Sequence, residues 1–137
     1  MKIGIIKFST TNLFSIKSAC EYYSLDTIIS NCPKELSQVD ALILPGVGSF
    51  KSAMNFLKEN NLLDLINEFN FKQKKIMGIC LGFQILFSES EEFGKSNGLN
   101  LISGKVKSIP YQTKLNQKKI HTGWNKIFLQ KKSKIIN

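Results

Sequence analysis

In the stretch Lys75-Ile-Met-Gly-Ile-Cys-Leu-Gly-Phe-Gln-Ile-Leu-Phe87 a single cysteine stands where a short apolar run gives way to a different periodicity. Ile76, Met77 and Ile79 suit a buried parallel strand, whereas Phe83, Leu86 and Phe87 recur at i, i+3 and i+4 and predict a helix face. Cys80 falls at the switch. A sharp strand-to-helix turn crowds the residues two before and two after its apex, and Gly78 and Gly82 occupy both places. A thiol presented this way could attack a carbonyl carbon. The helix start would turn unpaired N–H groups and partial positive charge toward the sulfur, favouring the thiolate, and the Leu81 N–H could receive the resulting oxyanion. The same residues also fit a buried structural cysteine at a tight join, and local sequence leaves both readings open.

A second candidate is the loop Pro45-Gly-Val-Gly-Ser49. Gly46 and Gly48 leave backbone N–H groups unobstructed for a substrate or an oxyanion, although such a loop alone is usually just a turn. Metal chemistry finds no ligand set. Cys20, Cys32 and Cys80 are widely spaced, the sequence holds one histidine, His121, and an odd number of cysteines fits reduced thiols better than a disulfide framework.

The elements that must position these residues alternate. Ile3–Ile6 reads as a buried strand, followed by a helix with Leu13, Ile16, Cys20 and Tyr23 on one face, capped by Thr11 or Asn12. Asp26–Ser30 is a second strand and Pro33–Leu36 a single helical turn. Ala41–Leu44, wholly apolar, is predicted to be a central third strand. Phe50, Ala53, Met54 and Leu57 then mark a helix face, continued by Leu62, Leu63, Leu65, Ile66 and Phe69 beyond Asn60-Asn61, before the fourth strand at Ile76–Ile79. This order predicts an α/β fold, an open and mostly parallel sheet with flanking helices, whose ligands bind at the C-terminal ends of the strands. If the third and fourth strands are neighbours, the Pro45–Ser49 loop and Cys80 meet. Further on, Leu99–Ile102 and Lys105–Ile109 suggest a strand pair, 111–119 a loop, and Trp124–Leu129 one more strand.

The 137 residues suit one domain, 1–137, and 42% apolar content supports a core. No signal peptide or membrane span is visible, so a cytoplasmic location is expected. The net charge of +9 is unevenly placed: residues 1–94 hold nine lysines against ten acids, and residues 95–137 hold ten lysines and no acid. All 19 basic residues are lysine, so the guanidinium fork suited to guanine and phosphate is missing. Charge pattern alone leaves open a basic tail that binds nucleic acid or an acidic partner.

The Pro45–Ser49 loop, Gly78-Ile-Cys-Leu-Gly-Phe-Gln84, Ser88–Glu92 and His121-Thr-Gly-Trp-Asn125, in this order and spacing, resemble the class I glutamine amidotransferases from Met1 to about Leu129. Within that family the likeness is greatest to the glutaminase subunits of imidazole glycerol phosphate synthases. The resemblance implies a flavodoxin-like fold and an enzyme that hydrolyses glutamine to glutamate and ammonia, with no cofactor. Cys80 would be the nucleophile that forms a glutamyl thioester, and Val47 and Leu81 would supply oxyanion N–H groups. Gly46, Gly48, Gln84 and Glu92 would hold glutamine, Glu92 through its α-ammonium. His121, Trp124 and Asn125 would face a cyclase subunit of barrel form, the heterodimer partner that uses the ammonia in histidine biosynthesis. Trp124 as mere core filling is the competing reading. Neither nucleic acid nor a membrane is implied as a partner.

Two departures accompany the resemblance. The family's catalytic histidine, with a glutamate two residues beyond it, would fall after Asn137, so the chain is expected to lack its C-terminal catalytic segment and to leave an unpaired sheet edge. At Lys7-Phe-Ser-Thr-Thr-Asn12 the family's acidic residue and two glycines are replaced, Ser9 and Thr11 standing for the glycines; a positive φ would strain Thr11. An amidotransferase of a surface-sugar pathway and a catalytically inactive binding module therefore remain alternatives.

Overall fold

The computed structural model describes residues 1–8, 12–109 and 123–130. Strand β1 (Lys2–Ile6) leads into helix α1 (Leu13–Tyr22), β2 (Asp26–Ser30), the single turn α2 (Pro33–Leu36) and β3 (Ala41–Leu44). Helices α3 (Phe50–Glu59) and α4 (Leu62–Phe71) then precede β4 (Lys75–Gly78). These four strands form one parallel sheet in the order β2-β1-β3-β4. The expected α/β class, with helices flanking a mostly parallel sheet, is what the chain adopts.

Alternation along the strands divides the core in two. Ile6, Leu42 and Leu44 face Leu36 and the apolar sides of α3 and α4, where Phe50, Leu57, Leu62, Ile66 and Phe69 are almost wholly buried. Ile3, Ile5, Ala41 and Ile43 face Cys20, Leu13 and Ile16 of α1 on the opposite side. Each large apolar side chain removed from water contributes roughly 1.5–3 kcal/mol. Both faces of β3 are covered, as its unbroken apolar run requires, and all four of its residues are buried. On β4 only one face is covered: Ile76 packs on the α3/α4 core, while Met77 is exposed. β4 is an edge of its sheet.

Four expectations change. Tyr23 is the C-cap of α1 and lies exposed, so the buried stripe of that helix ends at Cys20. The helix foreseen through Phe87 stops after one turn, α5 (Leu81–Gln84), and Phe87–Ser90 becomes strand β5. β5 pairs antiparallel with β6 (Ser96–Asn97) and parallel with β7 (Ile102–Val106), forming a second, three-stranded sheet in place of the strand pair expected from Leu99–Ile102 and Lys105–Ile109. Residues 123–130 form no strand; Trp124 is fully exposed and Ile127 and Phe128 largely so, which leaves Trp124 no role in filling the core. No helix among the described residues is long and apolar enough to cross a membrane.

Candidate active site

The strand order places the reversal of chain direction across the sheet between β1 and β3, and loops at the C-terminal ends of strands beside such a point form binding crevices. β3 and β4 run in register with Leu44 opposite Gly78, so the segments leaving both strands start side by side. The ladder continues one residue further, the Ile79 N–H donating to the Leu44 carbonyl at 2.9 Å. Cys80 comes next, an exposed free thiol at φ 55° and ψ −114°. A side-chain-bearing residue in such a sparsely populated region costs on the order of 1–3 kcal/mol and persists only when its surroundings hold it. Here the constraint is the Ile79–Leu44 bond before the apex, then Gly82 N–H to Ile79 O at 3.0 Å and Gln84 N–H to Cys80 O at 3.1 Å after it.

Three glycines make that corner sterically possible. A Cβ on Gly82 would lie 1.7 Å from the Leu44 carbonyl oxygen, and one on Gly78 would lie 2.6 Å from the Gly82 oxygen and from the Phe83 backbone. Gly46 closes the arrangement from the loop side: its Cβ position is 3.1 Å from Leu81 Cβ and 3.3 Å from the Gly82 nitrogen. The Pro45–Ser49 loop is therefore laid against the elbow, as adjacency of the two strands predicts. Pro45 and Gly46 are buried, whereas Val47 and Gly48 turn outward, Gly48 at φ +112° with open space around it.

Leu81 buries its side chain, and no backbone carbonyl among the described residues accepts its N–H. That donor is available at the elbow. Because α5 is a single turn, the long helix expected to polarise the sulfur is absent, and local N–H groups remain in its place. Gln84 ends α5 and is half-buried, on the same short element as Leu81. Phe83 is partly exposed and meets Phe87 edge-on, with ring centroids 5.2 Å apart.

Glu92 takes a position that sequence reasoning did not foresee. Its Oε2 accepts the Phe50 N–H at 2.7 Å, at the first residue of α3, while its own N–H donates to Ser90 Oγ at 3.0 Å. Ser49, the N-cap, accepts from the Ser52 N–H at 3.3 Å, so two acceptors serve this helix start. Phe50 immediately follows the Pro45–Ser49 loop, so Glu92 is tied to the loop that touches the elbow. The 42-residue separation carries no local signal for this bond. Gly98 was also missed; a Cβ there would stand 2.1 Å from the Phe87 oxygen, so it lets β6 close against β5.

The structure thus lays Gly46 against Leu81 and Gly82 beside Cys80, with Val47 and Gly48 following in the same loop and Gln84 closing α5, and it ties Glu92 to that loop's end through the Phe50 N–H. Trp124 and Asn125 lie on an exposed segment. His121, and with it Ser9, Thr10 and Thr11, lies outside the described residues. Among the described residues no group of three or more His, Cys, Asp or Glu side chains could hold a metal ion.

A parallel α/β sheet presenting a strained cysteine at a glycine-packed elbow defines a flavodoxin-like protein with a nucleophile-type corner. Its family model is that of the CobB/CobQ-like glutamine amidotransferase domain, which matches residues 2–135, and the chain belongs to that family. Among curated relatives it is 45% identical over 136 residues to "Imidazole glycerol phosphate synthase subunit HisH" of Geobacillus sp. (strain WCH70), covering 98% of this chain and 64% of that protein. To the subunit of the same name from Sulfurimonas denitrificans it is 42% identical over 129 residues, covering 92% of this chain and 61% of the relative. The chain thus spans somewhat under two thirds of these relatives' length. Among solved structures, one described as a glutamine amidotransferase superposes with a TM-score of 0.67 at 18% identity, over 77% of this chain and 56% of the other. A putative peptidase E protein from Listeria monocytogenes EGD-e superposes with a TM-score of 0.60 at 18% identity, over 74% and 62% respectively. These two likenesses speak to the fold.

Proposed function

We propose that the chain is the glutaminase part of an imidazole glycerol phosphate synthase, acting in the cytoplasm in histidine biosynthesis. The observation that carries the reading is Cys80 held at its strained apex against the Gly46 loop, in a chain 45% identical to a HisH subunit. In the proposed reaction the Cys80 sulfur adds to the side-chain amide carbon of glutamine, and the negative oxygen is received by the Leu81 N–H and by N–H groups near Val47. Collapse breaks the C–N bond, the nitrogen leaves as ammonia after taking up a proton, and a glutamyl thioester remains. Water then adds to the thioester carbonyl, and loss of the thiolate yields glutamate. Gln84 and Glu92 are assigned to the substrate, Glu92 offering its Oε1 to the α-ammonium.

The proton transfers require a base that no described residue supplies, and His121, Trp124 and Asn125 are assigned to the side facing the cyclase partner. Names of the curated relatives favour the synthase over a surface-sugar amidotransferase. The test is glutamate release from glutamine by the full chain, alone and with a cyclase subunit, alongside alkylation of its cysteines by the glutamine analogue acivicin. Selective, glutamine-protected alkylation of Cys80, abolished in Cys80→Ala, is the expected result. Equal labelling of Cys32 and Cys80 without protection by glutamine would overturn the assignment.

A further inference from the structure

We infer that Glu92 is a positioning residue for the oxyanion loop as well as a contact for substrate, an inference that rests on the amidotransferase reading of the site. The Phe50 N–H stands at the start of α3, where no preceding turn offers it an intrahelical acceptor, and the Glu92 carboxylate takes it at 2.7 Å. Phe50 is itself anchored, its side chain wholly buried in the core. One carboxylate oxygen therefore pins the junction at which loop 45–49 passes into a fixed helix. The loop's other end is fixed by the buried β3 and by Gly46 against Leu81. Between these two pins lie only Val47, Gly48 and Ser49, and Gly48, at φ +112°, has open space where a side chain would stand. Holding the Phe50 end sets the direction of the Val47 and Gly48 N–H groups relative to Cys80. A charged acceptor holds such a donor more tightly than a neutral one.

Substrate contact and loop positioning separate experimentally because they use different partners of one side chain. Replacing the Phe50 amide by an ester, with phenyllactate at position 50, deletes the N–H while keeping the buried ring and the Glu92 charge. With acivicin as the probe, the ester is expected to lower the maximal rate of Cys80 alkylation on the order of tenfold, leaving the half-saturating concentration unchanged. Glu92→Gln, which keeps an acceptor but loses the charge for the α-ammonium, is expected to raise the half-saturating concentration as well. Hydrogen exchange supplies a readout that needs no chemistry at Cys80: in the ester chain and in Glu92→Leu, which leaves the Phe50 N–H without that acceptor, exchange at residues 46–49 should rise severalfold while that of α4 stays as in the parent chain. An ester chain with parental alkylation kinetics and parental exchange at 46–49 would overturn the positioning role. If the ester chain fails to fold, exchange at 46–49 in Glu92→Leu decides alone, parental exchange there overturning the positioning role. Failure of acivicin to label the parent chain would instead sink the amidotransferase reading, and the exchange measurement would still decide whether Glu92 holds the loop.

Discussion

Gly82→Ala is the sharpest test of how the elbow is built. The added methyl carbon would start 1.7 Å from the Leu44 carbonyl oxygen and 2.6 Å from its carbon, backbone atoms at the end of the buried central strand β3. Real Cβ contacts essentially never fall below 3.0 Å, so elbow and strand end must separate by at least about 1.3 Å, the difference between 3.0 and 1.7 Å. A movement of that size breaks the 2.9 Å bond from the Ile79 N–H to the Leu44 oxygen, beside which the clash occurs. Overpacking costs about 1–3 kcal/mol, and a buried polar group left unmatched about 1–3 kcal/mol more. The combined loss of about 2–6 kcal/mol is a large share of the roughly 5–15 kcal/mol that typically separates folded from unfolded chains. Urea unfolding followed by circular dichroism should show the midpoint falling by at least about 0.7 M, given slopes of about 1–3 kcal/mol/M for small proteins. Gly48→Ala is the control. It meets nothing within 4 Å, so only its φ of +112° is penalised, at about 1–2 kcal/mol. A Gly82→Ala midpoint equal to that of Gly48→Ala or of the parent chain would refute the close approach of elbow and strand on which the site depends.

Strain at the apex predicts an inverted order for two ways of deleting the thiol. Cys80→Gly should be more stable than Cys80→Ala by about 1 kcal/mol, relief of roughly 1–3 kcal/mol of backbone strain exceeding the 0.5–1 kcal/mol entropy penalty of glycine; thermal melts of the two variants measure it, and a less stable glycine variant would show that the apex is relaxed. Hydrogen bonds from Lys105 and Lys95 hold the Glu89 carboxyl below its ordinary range. A depressed folded-state value means that this ion cluster contributes stability above the ordinary carboxylate range and loses it as pH falls through the folded value. In an NMR titration Lys105→Ala should therefore raise the Glu89 midpoint, and an unchanged midpoint would remove Lys105 as the main cause.

Much of the scaffold was legible because short-range patterns and long-range packing agree. The uninterrupted apolar run at Ala41–Leu44 demands cover on both faces and receives it, and the helix faces at 50–57 and 62–69 match the side chains that α3 and α4 bury. The segment after Cys80 was misread for a definable reason. Phe83, Leu86 and Phe87 satisfy the helical period over too few residues to exclude a strand, and the decision fell to β7, whose Ile102 pairs with Phe87 from fifteen residues away. Trp124 was equally opaque, since an aromatic side chain reads as core until the position of its segment is known.

By itself the sequence determined that a tight corner is possible at Cys80: glycines two residues to either side, at the end of an apolar strand, permit a close turn that a side chain would obstruct. It also determined the alternation of strands and helices, since local periodicity encodes it. Tertiary structure alone decided which loops share the corner. The β2-β1-β3-β4 order laid Gly46 on Leu81, and the path after β5 brought the Glu92 carboxylate to the Phe50 N–H. Strand order and loop contact depend on which distant surfaces bury each other best, a property of the whole chain that no local spacing records.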